Sequence, residues 1–215
     1  MHKHILFDLD ETLYPRDAGL MQEIGVRILR YMVERMGFTQ EEAEAKRMYY
    51  YHKYGTSLRG LMAEETVDAE DYLRFVHDVD ITRYIDPNPD LDAMLQRIPL
   101  SKVVFTNATQ EHARRVLDVL GIADHFASIL DVRTMDYASK PDPHAYRRIL
   151  DAIGARAEDC IIVEDTPRNL LPAKVMGMTT ILVDHQDCDD VDYCVSDILK
   201  VGDLVARLLA DHAQY

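Results

Sequence analysis

Five short apolar runs that are rich in β-branched residues recur along the chain. They are HILFDL (4–9), KVVFT (102–106), SILDV (128–132), CIIVED (160–165) and TTILVD (179–184). A continuous apolar run of this length predicts a strand in a sheet that is covered on both faces. Between the runs, stretches such as HARRVLDVLG and AYRRILDAIG place apolar residues three and four positions apart, which predicts helices. The alternation predicts a doubly wound, Rossmann-like α/β core with a parallel sheet.

One connection is far longer than a crossover requires. Nearly ninety residues separate the first run from the second, whereas a crossover needs about a dozen. The segment contains helical patterns such as MQEIGVRILRYMVERMG and EEAEAKRMYYYHKYG, and no convincing strand pattern. We predict a helical cap over residues 17–85, inserted into a core built from residues 1–16 and 86–215. The cap is expected to stand over the carboxyl edge of the sheet.

The charge balance limits the partners. The formal net charge is −14, so neither a nucleic-acid polymer nor an anionic membrane would be attracted to the surface. A small anionic substrate remains compatible if a cation and a few donors reverse the sign locally. No apolar run approaches the roughly 20 residues that span a bilayer, and acidic residues follow the N-terminus too early for a signal peptide. We expect a cytoplasmic protein of undetermined oligomeric state.

The three cysteines form no CxxC pair. Cys160 opens an apolar strand and is predicted to be a buried, reduced thiol. Cys188 and Cys194 lie in an acidic, exposed segment, and metal binding by them is not favoured. The acidic run 184–192 is predicted to be a solvated loop.

Polar residues gather at the predicted ends of the strands. This group contains Asp8, Asp10, Thr106, Asn107, Glu164 and Asp165, joined by Lys140 from the loop Ser139-Lys140-Pro141. In an open parallel sheet, ligands bind outside the carboxyl ends of the strands. Each acidic or amide residue alone is more often a helix N-cap. Together they are harder to explain as caps, because clustered carboxylates repel each other unless a cation is present.

These residue types fit a phosphoryl transfer. Asp8 is suited to attack phosphorus and form an aspartyl phosphate, and Asp10 to protonate the leaving oxygen and then activate water. Thr106 and the backbone N–H of Asn107 are candidate donors to phosphoryl oxygens. Lys140 would neutralise the nucleophile and the developing negative charge.

The same region predicts a Mg²⁺ site. Mg²⁺ typically binds one or two carboxylates together with substrate phosphate. Asp8 and Asp165 are the candidate side-chain ligands, with the backbone carbonyl of Asp10 as a third. Glu164 is expected to act through a bound water.

The motifs resemble those of a known family. Asp8-Leu9-Asp10-Glu11-Thr12, Thr106-Asn107, Lys140-Pro141 and Glu164-Asp165 are similar, in order and spacing, to the four motifs of the haloacid dehalogenase-like hydrolases. The resemblance covers essentially the whole chain and implies the roles given above, with the insert as a helical cap of that family's first type. FDLDETLYP, YGTSLRGL, FTNATQEHARRVLDVLGI, KPDPHAY and EDTPRNLLPAKVMGM further resemble the pyrimidine 5′-nucleotidase-like branch. That resemblance implies hydrolysis of nucleoside 5′-monophosphates, chiefly UMP and CMP. Glu164 departs from the branch, many members of which carry Asp there.

The cap residues are expected to select the leaving group. Tyr54, Thr56 and Ser57 are predicted to contact substrate, because the neighbouring Gly55 and Gly60 suggest a tight loop facing the cleft. Tyr49 and Tyr50 are interpreted as packing residues, whereas Arg59, Arg168 and Asn169 are left open between substrate contact and a surface role. The histidines show no ligand spacing, and no catalytic role is predicted for His2, His4, His112, His125 or His144.

Other functions remain compatible with these residues. A sugar-phosphate or phosphoglycolate phosphatase and a phosphomutase would keep both Asp8 and Asp10. A haloacid dehalogenase is disfavoured because its chemistry does not need the proton-transferring Asp10. A non-catalytic, phosphate-sensing or partner-binding protein is the alternative outside the enzymes. A receiver-like signalling domain would lack Asp10 and the helical insert.

Overall fold

The structure is a computed structural model that describes residues 2–185 and 188–212. Within them, six parallel strands form one sheet. The strands are β1 (His4–Phe7), β2 (Ser101–Phe105), β3 (Phe126–Leu130), β4 (Cys160–Glu164), β5 (Thr179–Val183) and β6 (Tyr193–Val195). Their order across the sheet is β3-β2-β1-β4-β5-β6. The order reverses between β1 and β4, which is the position where open α/β sheets bind ligands.

Nine α-helices accompany the strands in the same described residues. They are α1 (Leu20–Glu34), α2 (Gln40–Tyr54), α3 (Ser57–Glu64), α4 (Ala69–Val76), α5 (Pro89–Gln96), α6 (Gln110–Leu120), α7 (Pro143–Ile153), α8 (Pro167–Met176) and α9 (Val201–His212). The predicted α/β fold and its five apolar strands are confirmed. The sixth strand was not predicted, because β6 has three residues at the sheet edge and only Val195 is buried. It lacks the apolar run by which the other strands were recognised.

The central strand shows why these runs form the core. Ile5 and Phe7 belong to one hydrophobic cluster, whereas Leu6 belongs to another, and all three side chains are fully buried. Successive side chains of a strand point to opposite faces, so the sheet is covered on both sides. Burying each such side chain contributes about 1.5–3 kcal/mol.

The insert between β1 and β2 begins with four helices and contains no strand among its described residues. Local signals define where α2 begins: the Thr39 hydroxyl accepts from the Glu42 N–H at 3.2 Å, and the Glu42 carboxylate accepts from the Thr39 N–H at 2.8 Å. This reciprocal capping box satisfies two N–H groups that the helix itself cannot pair. The helical character of the insert agrees with the sequence, while the boundaries at 17 and 85 stay a prediction.

Ion pairs and hydrogen bonds join the insert to the core. Arg133, in the loop after β3, donates to both carboxylate oxygens of Glu70 at 2.8 Å, and the Tyr137 hydroxyl donates to Glu70 at 2.6 Å. These donors, Arg133 first, lower the pKa of Glu70 to about 2. Bidentate pairs of this kind fix orientation as well as distance.

A second set of hydrogen bonds holds the loop between α2 and α3 against the core. Arg168 donates to the carbonyls of Tyr51 and Gly55 at 3.1 and 3.2 Å. Gly55 has φ +93°, and a Cβ at this position would lie 2.5 Å from the Lys140 carbonyl oxygen. Only glycine therefore allows the insert to approach the Lys140 loop so closely.

The cysteines differ from the expectation in one respect. Cys160 is a buried free thiol, as predicted. Cys188 and Cys194 form a disulfide with a Cα–Cα distance of 5.6 Å, which their spacing did not predict. The described part of the acidic run, 184–185 and 188–192, has neither helix nor strand, and residues 186–187 lie outside the described residues. Disulfides are rare in the cytosol, so the cytoplasmic location stays a prediction.

Among the helices that the structure describes, none has the length and apolar character needed to cross a bilayer.

Replacing Gly55 with Ala tests the close approach. Gly37 is the matched control, because its φ is also positive (+79°) and a Cβ there would meet nothing within 4 Å. Both substitutions cost about 1–2 kcal/mol for left-handed backbone, and Gly55→Ala should cost about 1–3 kcal/mol more through overpacking. Urea unfolding measures both; equal losses would show that the insert does not press on the Lys140 loop.

Candidate active site

A fully buried lysine joins the chemical groups at the end of β1. The Lys140 Nζ donates to Asp8 Oδ1 at 2.6 Å, to Glu164 Oε2 at 2.7 Å and to the Phe105 carbonyl at 3.0 Å. The Asp8 N–H continues the β1–β4 pairing by donating to the Val163 carbonyl at 2.9 Å. This pairing places Asp8 beside the end of β4, so three distant segments of sequence meet at one ammonium group.

Three carboxylates lie close enough to share a cation. Asp8, Glu164 and Asp165 are buried and offer oxygen atoms within 4.8 Å of one another. Burial is the main cause that raises the pKa of Asp8, with Lys140 opposing it and Asp165 adding to it. Burial and then Asp8 raise the pKa of Glu164 well above its usual value. A hard divalent cation fits this donor set, because it would relieve a repulsion that Lys140 relieves only in part.

The carboxylate of Asp165 is held by donors from the loop after β1. Thr12 Oγ1 lies 3.4 Å from Asp165 Oδ1 and 3.3 Å from Asp8 Oδ2, so one hydroxyl contacts both carboxylates. Arg16 Nη2 lies 2.8 Å from Asp165 Oδ2, although the Arg16 side chain is largely exposed. The loop reverses direction at Glu11, a non-glycine residue with φ +61°.

The carboxylate of Asp10 is bound by two groups outside the predicted site. The Tyr14 hydroxyl donates to Asp10 Oδ1 at 2.6 Å, and His112 Nε2 lies 3.2 Å from the same oxygen. The His77 ring, from the end of α4, stacks on His112 with centroids 4.5 Å apart. Burial would raise the pKa of Asp10, but His112 and Tyr14 outweigh it and lower the pKa. Burial and then His112 lower the pKa of His77 to about 3, so the His77 ring is neutral at pH 7.

The sequence predicts no catalytic role for His112, and this stays a prediction, but the structure places its ring in contact with the candidate acid/base Asp10. His112 lies in the first turn of α6, three residues after the N-cap Thr109. The position just beyond Thr106-Asn107, at the carboxyl edge of the sheet, was the available signal. In the described part of the chain, the cavity lining does not include His2, His4, His125 or His144.

The end of β2 supplies two polar residues. The Thr106 hydroxyl accepts from the Ala108 N–H at 3.0 Å. Asn107 holds the backbone of Lys140, since its Oδ1 accepts from the Lys140 N–H at 2.8 Å and its Nδ2 donates to the Lys140 carbonyl at 3.3 Å. The backbone N–H of Asn107 has no hydrogen-bond acceptor among residues 2–185 and 188–212. It remains free to bind a ligand.

These groups open into one cavity of about 330 Å³ between the core and the insert. Its lining combines all the predicted core site residues with residues from α1, α2 and the α2–α3 loop. The lining residues outside the predicted core set are Glu11, Met21, Ile28, Arg47, Met48, Tyr51, Gly55, Thr56, Ser57, Thr166, Arg168 and Asn169. The volume lies at the lower end of the range for small-ligand sites.

The predicted cap residues divide between the cavity and the insert. Thr56 and Ser57 line the cavity, and the Thr56 hydroxyl also accepts from the Arg59 N–H, which caps α3. Tyr54 does not line this cavity, because its hydroxyl donates to Glu64 at 2.7 Å. A substrate contact by Tyr54 has no support in this arrangement, and Tyr51 from the preceding turn lines the wall instead.

The residues left open also have defined positions. Tyr50 is fully buried and packs inside the insert, as interpreted, whereas Tyr49 is about half exposed. Arg59 lies 3.7 Å from the Asp142 carboxylate and thus bridges insert and core. Arg168 and Asn169 both line the cavity, and Asn169 Oδ1 is buried with no hydrogen-bond partner among the described atoms.

A family model for haloacid dehalogenase-like hydrolases matches residues 2–177. The chain belongs to this family. The match extends from β1 through α8 and so includes all four motifs and the insert. The resemblance seen in the sequence is confirmed at this level, whereas the pyrimidine 5′-nucleotidase-like branch stays a prediction.

Named relatives are similar over most of the chain. A phosphoglycolate phosphatase from Rhodospirillum rubrum is 26% identical over 86% of this chain and 80% of its own length. The protein named phosphate metabolism protein 8 from Saccharomyces cerevisiae is 26% identical over 84% of this chain, which spans only 61% of that protein. A phosphoserine phosphatase from Thermus thermophilus is 31% identical over 57% of this chain and 50% of its own length.

Solved structures share the fold. A haloacid dehalogenase-type phosphatase from Thermococcus onnurineus has a TM-score of 0.64 at 16% identity, covering 94% of this chain and 97% of that one. An L-2-haloacid dehalogenase from Xanthobacter autotrophicus has a TM-score of 0.61 at 16% identity, covering 96% and 99%. At these identities the likeness establishes the fold and no activity.

Replacing Lys140 with Met tests the charge balance of the site. The change leaves Asp8 and Glu164 buried without their shared cation, so we expect a loss of about 3–5 kcal/mol in unfolding free energy in metal-free buffer. Asp8→Asn is the matched comparison, because Lys140 then keeps Glu164 and the repulsion of Asp8 with Glu164 and with Asp165 disappears. It should cost much less. Chemical denaturation with and without Mg²⁺ measures both; an Asp8→Asn loss as large as the Lys140→Met loss would contradict this charge balance.

Proposed function

We propose that the protein is a Mg²⁺-dependent phosphatase that hydrolyses a small phosphate monoester through an aspartyl phosphate on Asp8. The observation that carries the proposal is the buried Lys140–Asp8 contact of 2.6 Å, inside a cavity that also holds Glu164 and Asp165. A carboxylate fixed by one ammonium group is held as an anion despite its burial, as a nucleophile requires.

Asp8 and its neighbours carry the first half of the reaction. An Asp8 oxygen attacks phosphorus while the bond from phosphorus to the leaving oxygen breaks. Lys140 offsets the negative charge that gathers on the transferring group. The free N–H of Asn107 and the hydroxyl of Thr106, which line the same cavity, are suited to donate to phosphoryl oxygens.

Asp10 moves the proton in both halves. Its carboxyl group protonates the departing alkoxide, and the resulting carboxylate then takes a proton from the water that attacks the aspartyl phosphate. Tyr14 and His112 hold one oxygen of Asp10, which leaves the other for the proton transfer. The lowered pKa of Asp10 favours the carboxylate, the form needed in the second half.

A divalent cation would be held by Asp8 and Asp165, with the backbone carbonyl of Asp10 as a further ligand. Glu164 is already 2.7 Å from Lys140, which supports a role for Glu164 through a bound water. When bound, Mg²⁺ supplies positive charge to the phosphoryl oxygens. The acidic cluster thereby becomes compatible with an anionic substrate.

The substrate has two candidates. The motif resemblance supports a pyrimidine nucleoside 5′-monophosphate. Similarity to a phosphoglycolate phosphatase over 86% of this chain supports a small phosphorylated acid equally well. A sugar-phosphate phosphatase, a phosphomutase and a non-catalytic phosphate-sensing protein remain alternatives, which a substrate panel separates.

Asp8→Asn is expected to abolish phosphate release, because an amide oxygen is a poor nucleophile. Chelation of Mg²⁺ should lower the rate of the wild type at least 100-fold, with recovery when Mg²⁺ is restored. Phosphate release from nucleotides, sugar phosphates and phosphoglycolate is measured, with Asp118→Asn on the exposed face of α6 as the control. Turnover by Asp8→Asn at the wild-type rate would contradict the mechanism.

Tyr14→Phe tests how Asp10 is held. Loss of the hydroxyl should reduce kcat about 10-fold for alkyl phosphates, whose leaving group needs a proton, and far less for nitrophenyl phosphate, whose leaving group does not. Tyr49→Phe is the matched control, since its hydroxyl contacts Glu64 on the surface of the insert. An equal reduction for both substrate types would indicate a merely structural role for Tyr14.

A further inference from the structure

Three cationic side chains line the cavity, and they differ in what they bind. Lys140 is paired with two carboxylates, and Arg168 donates to two backbone carbonyls. Arg47, on α2, lines the same cavity and has no hydrogen bond or ion pair to any residue that the structure describes. Arg47 is half-buried, and none of its nitrogens is among the buried atoms that lack a partner, so the guanidinium reaches solvent and its N–H groups are available to a ligand.

The backbone of α1 makes room for this guanidinium. Gly25 lies in the middle of α1, where glycine is less favourable than alanine by about 1 kcal/mol. A Cβ on Gly25 would lie 2.9 Å from Arg47 Nη2 and 3.4 Å from Arg47 Cζ. The absence of a side chain at Gly25 therefore allows Arg47 to rest against α1, beside the cavity.

The residues around Arg47 would strengthen its hydrogen bonds to an anionic ligand. Met21 and Ile28 from α1 and Met48 from α2 line the cavity with apolar groups. Charge-assisted hydrogen bonds are stronger beside apolar walls than in open water. Burial raises the pKa of the Tyr72 phenol, and Arg47 is close enough to oppose this rise. No carboxylate of the described residues neutralises Arg47.

We propose that Arg47 binds a carboxylate on the leaving group, so that the substrate is a phosphorylated carboxylic acid. The proposal rests on the proposed phosphatase activity and names its substrate class. The planar guanidinium matches a carboxylate through two parallel N–H···O bonds. One molecule would then place its phosphate at Asp8 and its carboxylate at Arg47, at two ends of one cavity.

A nucleobase fits this part of the cavity less well. Tyr51 is the one aromatic residue in the described cavity lining. One face of its ring is covered by the Arg168 guanidinium, 4.0 Å from the ring centroid. Stacking on Tyr51 is therefore limited to the other face. A carboxylate needs no such platform, and Arg47 offers it two donors.

The test measures Arg47→Met and Arg47→Lys, beside the wild type, on two matched substrates. Phosphoglycolate carries a carboxylate where hydroxyethyl phosphate carries a hydroxymethyl group. Arg47→Met should reduce kcat/KM about 100-fold for phosphoglycolate and less than 3-fold for hydroxyethyl phosphate. Arg47→Lys should recover part of the loss, because it restores the charge without the two-pronged geometry. An equal loss for both substrates would overturn the proposal.

Gly25→Ala offers a second variant, in which Arg47 itself is not substituted. Alanine favours the helix, so folding is preserved, while its Cβ displaces the flexible end of Arg47. We expect a loss of about 10-fold for phosphoglycolate alone. Val26→Ala, at an exposed neighbouring position of α1, is the control and should change kcat/KM for neither substrate.

Binding to the Asp8→Asn variant separates this proposal from the proposed function. Calorimetry should show phosphoglycolate binding that Arg47→Met weakens about 100-fold in the same background, whether or not the wild type turns over. If the wild type did not hydrolyse phosphoglycolate but this binding and its dependence on Arg47 were observed, only the proposed phosphatase activity would be overturned. Binding of phosphoglycolate that is unchanged by Arg47→Met, or a wild-type kcat/KM higher for UMP or CMP than for phosphoglycolate, would overturn the carboxylate site.

Discussion

The burial of Lys140 between Asp8 and Glu164 is the constraint around which the molecule is arranged. A buried charge is tolerated only where partners and hydrogen bonds replace its hydration, and here the residue after β1, the last residue of β2 and the last residue of β4 each provide one partner. Asn107 holds the Lys140 backbone from the core side, and Gly55 meets its carbonyl from the insert side. The position of one ammonium group thus depends on both parts of the chain, so docking of the insert and geometry of the nucleophile are coupled.

The arginines at the boundary between insert and core show how that docking differs from ligand binding. Arg133 is bound on the insert side by Glu70, and Arg168 by the carbonyls at the end of α2. Each donates to acceptors across the boundary and therefore holds the two parts together. Arg47 is left without an acceptor in the described structure. The same residue type therefore has two roles, and only the local supply of acceptors distinguishes them.

The sequence was sufficient for most of the fold and for the chemical end of the cavity. Continuous apolar runs identified five strands, and residues that follow strands converge because parallel strands end at one edge. The contacts of Asp10 with Tyr14 and His112 were not predicted: the position of His112 just beyond Thr106-Asn107 was a signal, but a histidine with no ligand spacing becomes significant only when the fold brings it to a carboxylate. Tyr51 rather than Tyr54 lines the cavity because the rotation of α2 decides which tyrosine faces inward, and the run of tyrosines carries no periodicity that fixes it. The Cys188–Cys194 pairing likewise depends on β6, which has no apolar run.

The two ends of the cavity carry opposite charge imbalances. At the core end, three carboxylates lie within 4.8 Å of one another and the buried Lys140 contacts two of them, so a bound divalent cation would favour the approach of a phosphate. At the insert end, the Arg47 guanidinium lines the cavity together with methionine and isoleucine side chains and forms no ion pair with a carboxylate of the described residues. A protein with a net charge of −14 repels anions at long range, so local imbalance must provide the attraction at short range. A ligand with an anionic group at each end would relieve both imbalances at once, whereas a phosphate ester with a neutral leaving group would leave the guanidinium without an anionic partner. The unpaired charge of Arg47 thus favours substrates that carry a second anionic group besides the phosphate, without any change at the reacting atoms.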